Sequence, residues 1–517
     1  MAAEAEGFPS AAPEIILIFE VHQPYRLYQR IHEKRFACLE SGGGLKPEDL
    51  ENVYFDLDLT RKVFERVSER CYKPATSLFL QLLDEHEHFR VAYSFSGVLL
   101  EQASRWAPEL LDLFSQVARH SRCEVLGQTY YHSLAYLISR EEFVEQVEEH
   151  RRTVRDLLGV EPRVFENTEL IYDNGVAAVA EELGFKAVVT EGAERLLGWR
   201  SPNYVYKAKG SNVKVLLRNY RLSDDIGFRF ASRDWDQYPL TAEKYAAWLA
   251  ATPGQVICIF IDYETIGEHY PRETGIFKFF EWLPREVELW GLSFAKPSEA
   301  VDSHEPVGEI DAPEPVSWAD VERDLSAWVG NPMQNLALKR ESRLEFLVKG
   351  LGDETLIRLW RLLSISDHYY YMSTKAGGPG EVHSYFSPYP TPYHAFAAFH
   401  EAVMDLESRI FEKALRRGVP PSWFRPLPDT LAFQFYEDVG VPTPYSAASV
   451  LDLADTIKKI PIKSLEFHVK NGHIAEWFRN VLYDEEAARR IEELKAVSGE
   501  ELRKRFLTLL KELSSRR

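Results

Sequence analysis

Residues Val256–Gly267 read VICIFIDYETIG. Six largely apolar residues run on without a break and stop at Asp262-Tyr263-Glu264. A strand with one wet face alternates apolar and polar residues, so a short unbroken run reads as a parallel strand covered on both sides. An acid at its end then points into the mouth of whatever the strand builds. Six similar runs lie upstream, at residues 15–21, 91–95, 124–128, 163–166, 187–190 and 213–217. Helical patterns separate them, for example at residues 59–69 and 141–158. Strands alternating with helices build βα units and a parallel sheet. Seven such strands predict a closed or nearly closed α/β barrel rather than an open sheet.

Beyond the barrel the character of the chain changes. Residues 305–315, EPVGEIDAPEP, are acidic and rich in proline and read as a linker. Long helical periodicity follows to about residue 416, then a proline-rich entry, short apolar runs and two charged amphipathic helices near residues 484–497 and 499–515. The division expected is therefore a catalytic barrel over 1–304, a helical domain over 305–416 that completes the cleft, and a small domain over 417–517. No internal repeat or low-complexity tract stands out.

Composition narrows the partners. With a formal net charge of −19, the chain lacks the basic surface that nucleic acid or an anionic membrane demands. No apolar run reaches the roughly 18 residues that span a bilayer. The acidic first residues and short apolar stretch do not resemble a secretory leader, so a cytoplasmic protein is expected. Cys38, Cys71, Cys123 and Cys258 are scattered, which argues against a disulfide framework or a thiolate metal site. Few Cys and Met beside many charged residues lean towards a thermophilic source.

The polar residues cluster where strands end: Glu20 and His22, Gln128 and His132, Glu169, Asp224 and Asp225, Asp262 and Glu264. In α/β barrels that end carries the active site. Asp262 and Glu264 are two apart, hence on one face if the strand continues, and two such acids raise one pKa, as a general acid requires. The alternative is a helix-start cap. In residues 163–174, RVFENTELIYDN, Glu169 fits an ionised nucleophile held by the donors Asn167 and Thr168, whereas Glu166 reads better as part of a helix cap. Four carboxylates thus remain in view: Glu166, Glu169, Asp262 and Glu264. His22 and Gln23, in FEVHQP, and Gln128 and His132, in GQTYYHSL, are sugar-hydroxyl partners or satisfied structural residues. The tyrosines between them are stacking faces or core.

Taken in order, HQP at 22–24, GQTYYHSL at 127–134, ENTELIY at 166–172, DYETIGEH at 262–269 and SDHYYYM at 366–372 resemble the five short regions of glycoside hydrolase family 57, in its α-amylase and 4-α-glucanotransferase group. The resemblance spans about residues 15 to 415. It implies an incomplete (β/α)7 barrel followed by helices and a retaining mechanism on α-1,4-glucans. It assigns Glu169 as nucleophile and Asp262 as general acid/base. It also implies that His22, His132 and Asp367 line the sugar site, with Gln23, Gln128, Glu264 and His368 as further substrate-binding candidates. The Asn-Thr before Glu169 departs from the Trp- or Ala-rich context of many members and leaves donor and acceptor preference open. Neither a cofactor nor a metal is implied. Hydrolysis and transfer share one covalent intermediate, so an amylase, a glucanotransferase and a branching enzyme all stay in view. Outside the family, a metal-dependent deacetylase or mannosidase-like hydrolase and a non-catalytic glucan-binding protein are the competing readings.

Overall fold

The computed structural model describes residues 12–40, 49–375 and 387–514. The strands, in chain order, are β1 Glu14–Val21, β2 Val91–Phe95, β3 Cys123–Val125, β4 Val164–Glu166, β5 Ala187–Glu191, β6 Tyr206–Ala208, β7 Lys214–Arg218, β8 Val256–Asp262, β9 Ser293–Phe294, β10 Glu309–Ile310, β11 Phe433–Asp438 and β12 Val441–Ala447. Seven of them match the seven apolar runs, shifted by a few residues at the ends. Parallel pairing runs β3–β2–β1–β8–β7–β5–β4. A single parallel bridge, Gly127 to Phe165, joins the two ends of that path. The ring therefore closes, with two thin seams. At one, Gly127 N donates to Val164 O and Glu166 N donates to Gly127 O, each at 2.9 Å. At the other, β7 and β8 share only the Arg218–Cys258 pair. Glycine is needed at the first seam because a Cβ on Gly127 would lie 2.8 Å from the Phe185 ring.

The two-residue period of a strand sorts the side chains. Ile16, Ile18, Val164, Ala187, Val189, Leu216, Cys258 and Phe260 pack together inside the ring. Their neighbours Ile15, Leu17, Phe19, Ile257, Ile259 and Ile261 pack outward against helices such as Leu57–Val67, Lys73–Glu85 and Ile276–Leu289. One more step along each strand brings Glu20, Glu166, Glu191, Arg218 and Asp262 to the inside. A dry interior thus ends in a layer of ionisable groups at the C-terminal mouth.

Residues 305–315 are not a free linker. β10 pairs with β6, and Tyr172 and Val316 exchange backbone hydrogen bonds at 2.9 and 2.8 Å. Proline and acid blurred this segment in the sequence; it is backbone pairing that straps it to the barrel. The following residues reach the site.

Two compact units divide the chain differently from the three stretches expected. One comprises Met1–Arg26, Asp56–Asn331 and Ile365–Pro388, and holds the barrel; the other comprises Leu27–Phe55, Pro332–Ser364 and Tyr389–Arg517. The short helix Ser366–Tyr370 therefore belongs with the barrel, not with the helices on either side of it in sequence. In the second unit the helix Pro332–Leu351 packs against the helices Pro392–Arg416, Val450–Lys459 and Gly499–Ser514. Tyr54 Oη donates to Asp405 Oδ2 at 2.6 Å there, tying the stretch Leu27–Phe55 to the helix Pro392–Arg416. Among the described residues no helix is long and apolar enough to cross a membrane.

Candidate active site

The barrel mouth opens into a cavity of about 580 Å³, within the size range of small-molecule sites. Glu169, Asp262, His22, Gln23, His132, Glu264 and Asp367 line it. Gln128 and His368 do not. Gln128 lies one layer down, between Glu20, Ser94 and His132. His368 follows Asp367 on one helical turn, so its side chain leaves at about 100° from that of Asp367 and is buried elsewhere.

Glu169 sits in a strained turn after β4. Its φ is +60° and that of Leu170 is +53°, in the left-handed region that costs an L-residue about 1–2 kcal/mol. The turn is braced by Asn167 Nδ2 donating to Ile171 O at 3.0 Å and Thr190 Oγ1 donating to Leu170 O at 3.0 Å. Asn167 thus holds the backbone rather than the carboxylate, and Thr168 bonds the Thr129 hydroxyl at 2.7 Å. The carboxylate has other donors. Trp318 Nε1 donates to Oε2 at 2.7 Å and Ser366 Oγ to Oε1 at 3.1 Å, with His132 Nε2 3.6 Å from Oε1.

Asp262 ends β8 and makes no capping bond with its side chain, so the cap reading is not realised. Burial and then the charge of Glu169 push its carboxyl up to about 7, against the opposing pull of Arg218 and His132. Glu264 does not continue the strand: the chain turns through Tyr263–Thr265 and carries it to Tyr72, whose hydroxyl donates to it. Burial and Asp262 push Glu264 up to about 8. Tyr72 closes a π-helical turn, Ser68–Tyr72, a distortion frequent at functional sites.

His22 and His132 stack, ring centroids 4.2 Å apart. His22 Nε2 is 3.0 Å from Asp367 Oδ2 and Nδ1 is 2.8 Å from Ser96 Oγ. Burial, then the neighbouring His132, pulls His22 down to about 4, so it is neutral at pH 7. Burial raises Asp367, but the bond to and charge of His22 more than offset this and hold it at about 2.

Several residues escaped the sequence reading. Arg218 donates to Glu191 at 2.9 Å, Asp224 at 2.6 Å and the Phe260 carbonyl at 2.7 Å. Arg323 meets the other oxygen of Glu191 at 3.1 Å. Trp318 lies over Arg218, with 5.6 Å from guanidinium to ring. Arg218 could have been found by counting in twos along β7. Trp318 and Arg323 could not, because residues 316–325 have no regular period. Asp225 pairs with Arg229.

The assembly offers two carboxylic acids with raised pKa values, Asp262 beside Glu169 and Glu264 on Tyr72, one carboxylate held by donors, and a ring of hydrogen-bonding groups around a cavity. That is an acid and a nucleophile for a sugar acetal. Among the described residues, the group whose ligand atoms converge closely enough for a metal ion is His86, His88 and Glu288, at the opposite end of the barrel where β2 begins.

Comparison with known proteins agrees with this geometry. Residues 16–313 match the family model of glycosyl hydrolase family 57. A Methanocaldococcus jannaschii protein, provisionally named an α-amylase, is 45% identical over 406 residues, covering 76% of this chain and 84% of its own. The crystal structure of a 4-α-glucanotransferase from Thermococcus litoralis superposes with a TM-score of 0.55 at 17% identity, covering 77% of this chain and 60% of that one. A family 57 branching enzyme from Thermococcus kodakaraensis gives 0.55 at 14% identity, covering 78% and 90%. At such identities the two structures speak for the fold alone. With more than half its length matched by the family model and a relative 45% identical along most of both chains, this chain belongs to glycosyl hydrolase family 57.

Proposed function

We propose that the protein cleaves α-1,4-glucans by double displacement, with Glu169 as nucleophile and Asp262 as general acid and then base. The observation that carries this reading is the pairing of a carboxyl raised to about 7 with a carboxylate braced by Trp318 and Ser366. Glu169 attacks the anomeric carbon while the Asp262 proton passes to the leaving glycosidic oxygen. Asp262 is then a carboxylate. It takes a proton from an incoming hydroxyl, whose oxygen displaces Glu169 from the anomeric carbon, and the enzyme is restored. Water as that hydroxyl gives hydrolysis; a sugar gives transfer. His22, His132, Gln23, Glu264 and Asp367 supply hydrogen bonds around the sugar. Composition supports a cytoplasmic, heat-tolerant setting.

Incubation with maltooligosaccharides, with products resolved by size, tests this. Shorter products alone mean hydrolysis, and products longer than the substrate mean transfer. Glu169→Gln should reduce either to background while leaving glucan binding in place. An undiminished rate in that variant would remove Glu169 from the mechanism.

A further inference from the structure

The mechanism leaves one buried group of side chains unused. Glu20 is the last inward residue of β1 and Glu166 ends β4; they are 4% and 0% exposed and face each other across the barrel interior. Ser94 and Gln128 bridge their carboxyl groups, and burial raises both, Glu20 further by the charge of Glu166. Ser94 Oγ donates to Glu166 Oε1 at 2.8 Å. Gln128 Nε2 donates to Ser94 Oγ at 2.7 Å and to Glu20 Oε1 at 3.0 Å. Two bare carboxylates in contact in a dry interior repel strongly, so one proton between them is the stable arrangement.

That arrangement fixes what lies above it. Both amide hydrogens of Gln128 are engaged below, so its oxygen faces His132 Nδ1, at 3.0 Å. An amide oxygen only accepts, hence Nδ1 carries a proton. On the other side of the ring Nε2 faces the carboxylate of Glu169 at 3.6 Å, which also only accepts. At that distance the carboxylate acts on the ring as a neighbouring negative charge, and with Nδ1 already protonated it favours the imidazolium. The charges around it agree. Burial opposes the cation, but Glu169, Glu166 and Asp367 together outweigh burial and raise His132. The stacked His22 is neutral, and Glu20, which also neighbours Asp262 across the β1–β8 pairing, carries the shared proton.

We infer that Glu20 and Glu166 share a single buried proton, and that this pair, acting through Gln128, keeps His132 as an imidazolium against Glu169. Glu20, Glu166 and Gln128 are then positioning residues: they set the protonation of the histidine that faces the nucleophile and touch no substrate bond. The effect on turnover rests on the proposed function; the proton positions rest on the hydrogen bonds through Gln128 and Ser94 and on the charges around His132.

Neutron diffraction from deuterated crystals of the whole protein at pH 7 reads those positions directly. The expected map has one deuteron between Glu20 and Glu166 and one on each nitrogen of His132. A neutral His132, or no deuteron between the carboxyl groups, overturns the inference even if the enzyme acts on maltooligosaccharides as proposed. Conversely, an enzyme inert towards maltooligosaccharides with the expected map removes the proposed substrate and keeps the inference. Kinetics add a second test. Glu20→Leu breaks both bonds and should lower kcat about tenfold or more with little change in KM. Glu20→Gln is the conservative variant, since its amide can donate to Glu166 and accept from Gln128, and it should recover most of that loss. Equal loss in the two variants counts against the inference.

Discussion

In the proposed mechanism Asp262 works in its protonated form, and burial beside Glu169 holds its proton until about pH 7. That value is of the free enzyme, so it reports in kcat/KM. On maltooligosaccharides kcat/KM should fall about tenfold per pH unit above that value; a flat profile from pH 7 to 9 would take the acid role from Asp262. Trp318 is the second residue to test. Its indole N–H donates to Glu169 at 2.7 Å, and hydrogen bonds to charged groups contribute about 1.5–3 kcal/mol. Trp318→Phe keeps the ring over Arg218 and removes the donor. We expect kcat to drop by roughly 10- to 100-fold, with the melting temperature almost unchanged.

At the scale of elements, Ser96 serves two neighbours. Its hydroxyl caps the helix Gly97–Trp106 by accepting from Leu99 N, and it meets His22 at 2.8 Å. Ser96→Ala should cost about 1 kcal/mol of stability as a lost cap and also weaken turnover, because His22 loses a partner; unchanged turnover would separate the cap from the site. The strands of this architecture were legible because both faces of a barrel strand are dry, and an unbroken apolar run such as VICIFI has no other soluble reading of that length. The same logic put Asp262 at a strand end; Glu169 was singled out for the neighbours Asn167 and Thr168, which bond elsewhere, while Trp318 and Ser366 donate to it. It misjudged Glu166, read as part of a cap, because an inward acid and a capping acid look alike until the two-residue period is followed across β4. It missed β10, Trp318 and Arg323 because their segment is held by backbone bonds to Tyr172 and β6, which leave no pattern in the side chains. His368 was taken with Asp367 from a shared motif, and one step along a helical turn separates them.

For the whole molecule, pH acts through the same buried acids. His22, His150, His269 and His468 are each pulled down to about 4 by burial, so above about pH 7.5 they are neutral whether the chain is folded or not. Asp262 and Glu264 differ: folded, they hold protons to about 7 and 8, while unfolded they release them near pH 4. The folded chain therefore binds more protons, and stability falls as pH rises. From pH 7.5 to 9.5 the loss should be on the order of 1 kcal/mol, seen as a falling melting temperature without substrate; a rise would contradict the protonated state of both acids. The two units make a further prediction. Because the second unit takes in residues 27–55 and 332–364 as well as 389–517, cutting the chain after residue 388 removes only part of it. Leu344, Leu347 and Val348, buried within the helix Pro332–Leu351, would lose the helices Val450–Lys459 and Gly499–Ser514 as packing partners. The truncated protein should aggregate on expression; a soluble, active product would show that the barrel tolerates the loss.

The left-handed backbone at Glu169, with φ +60°, has a use beyond the native reaction. Glycine adopts that conformation without penalty, so Glu169→Gly relaxes the turn as it deletes the nucleophile, and should melt higher than Glu169→Ala. It also leaves a vacancy beside an intact Asp262. A β-configured glucosyl fluoride placed there imitates the glycosyl-enzyme: an acceptor sugar gives its hydroxyl proton to Asp262, its oxygen bonds the anomeric carbon, and fluoride leaves. With no carboxylate to attack the new α-linkage, the product accumulates. The strained turn thus marks the position at which a glucan-degrading catalyst becomes a glycosynthase.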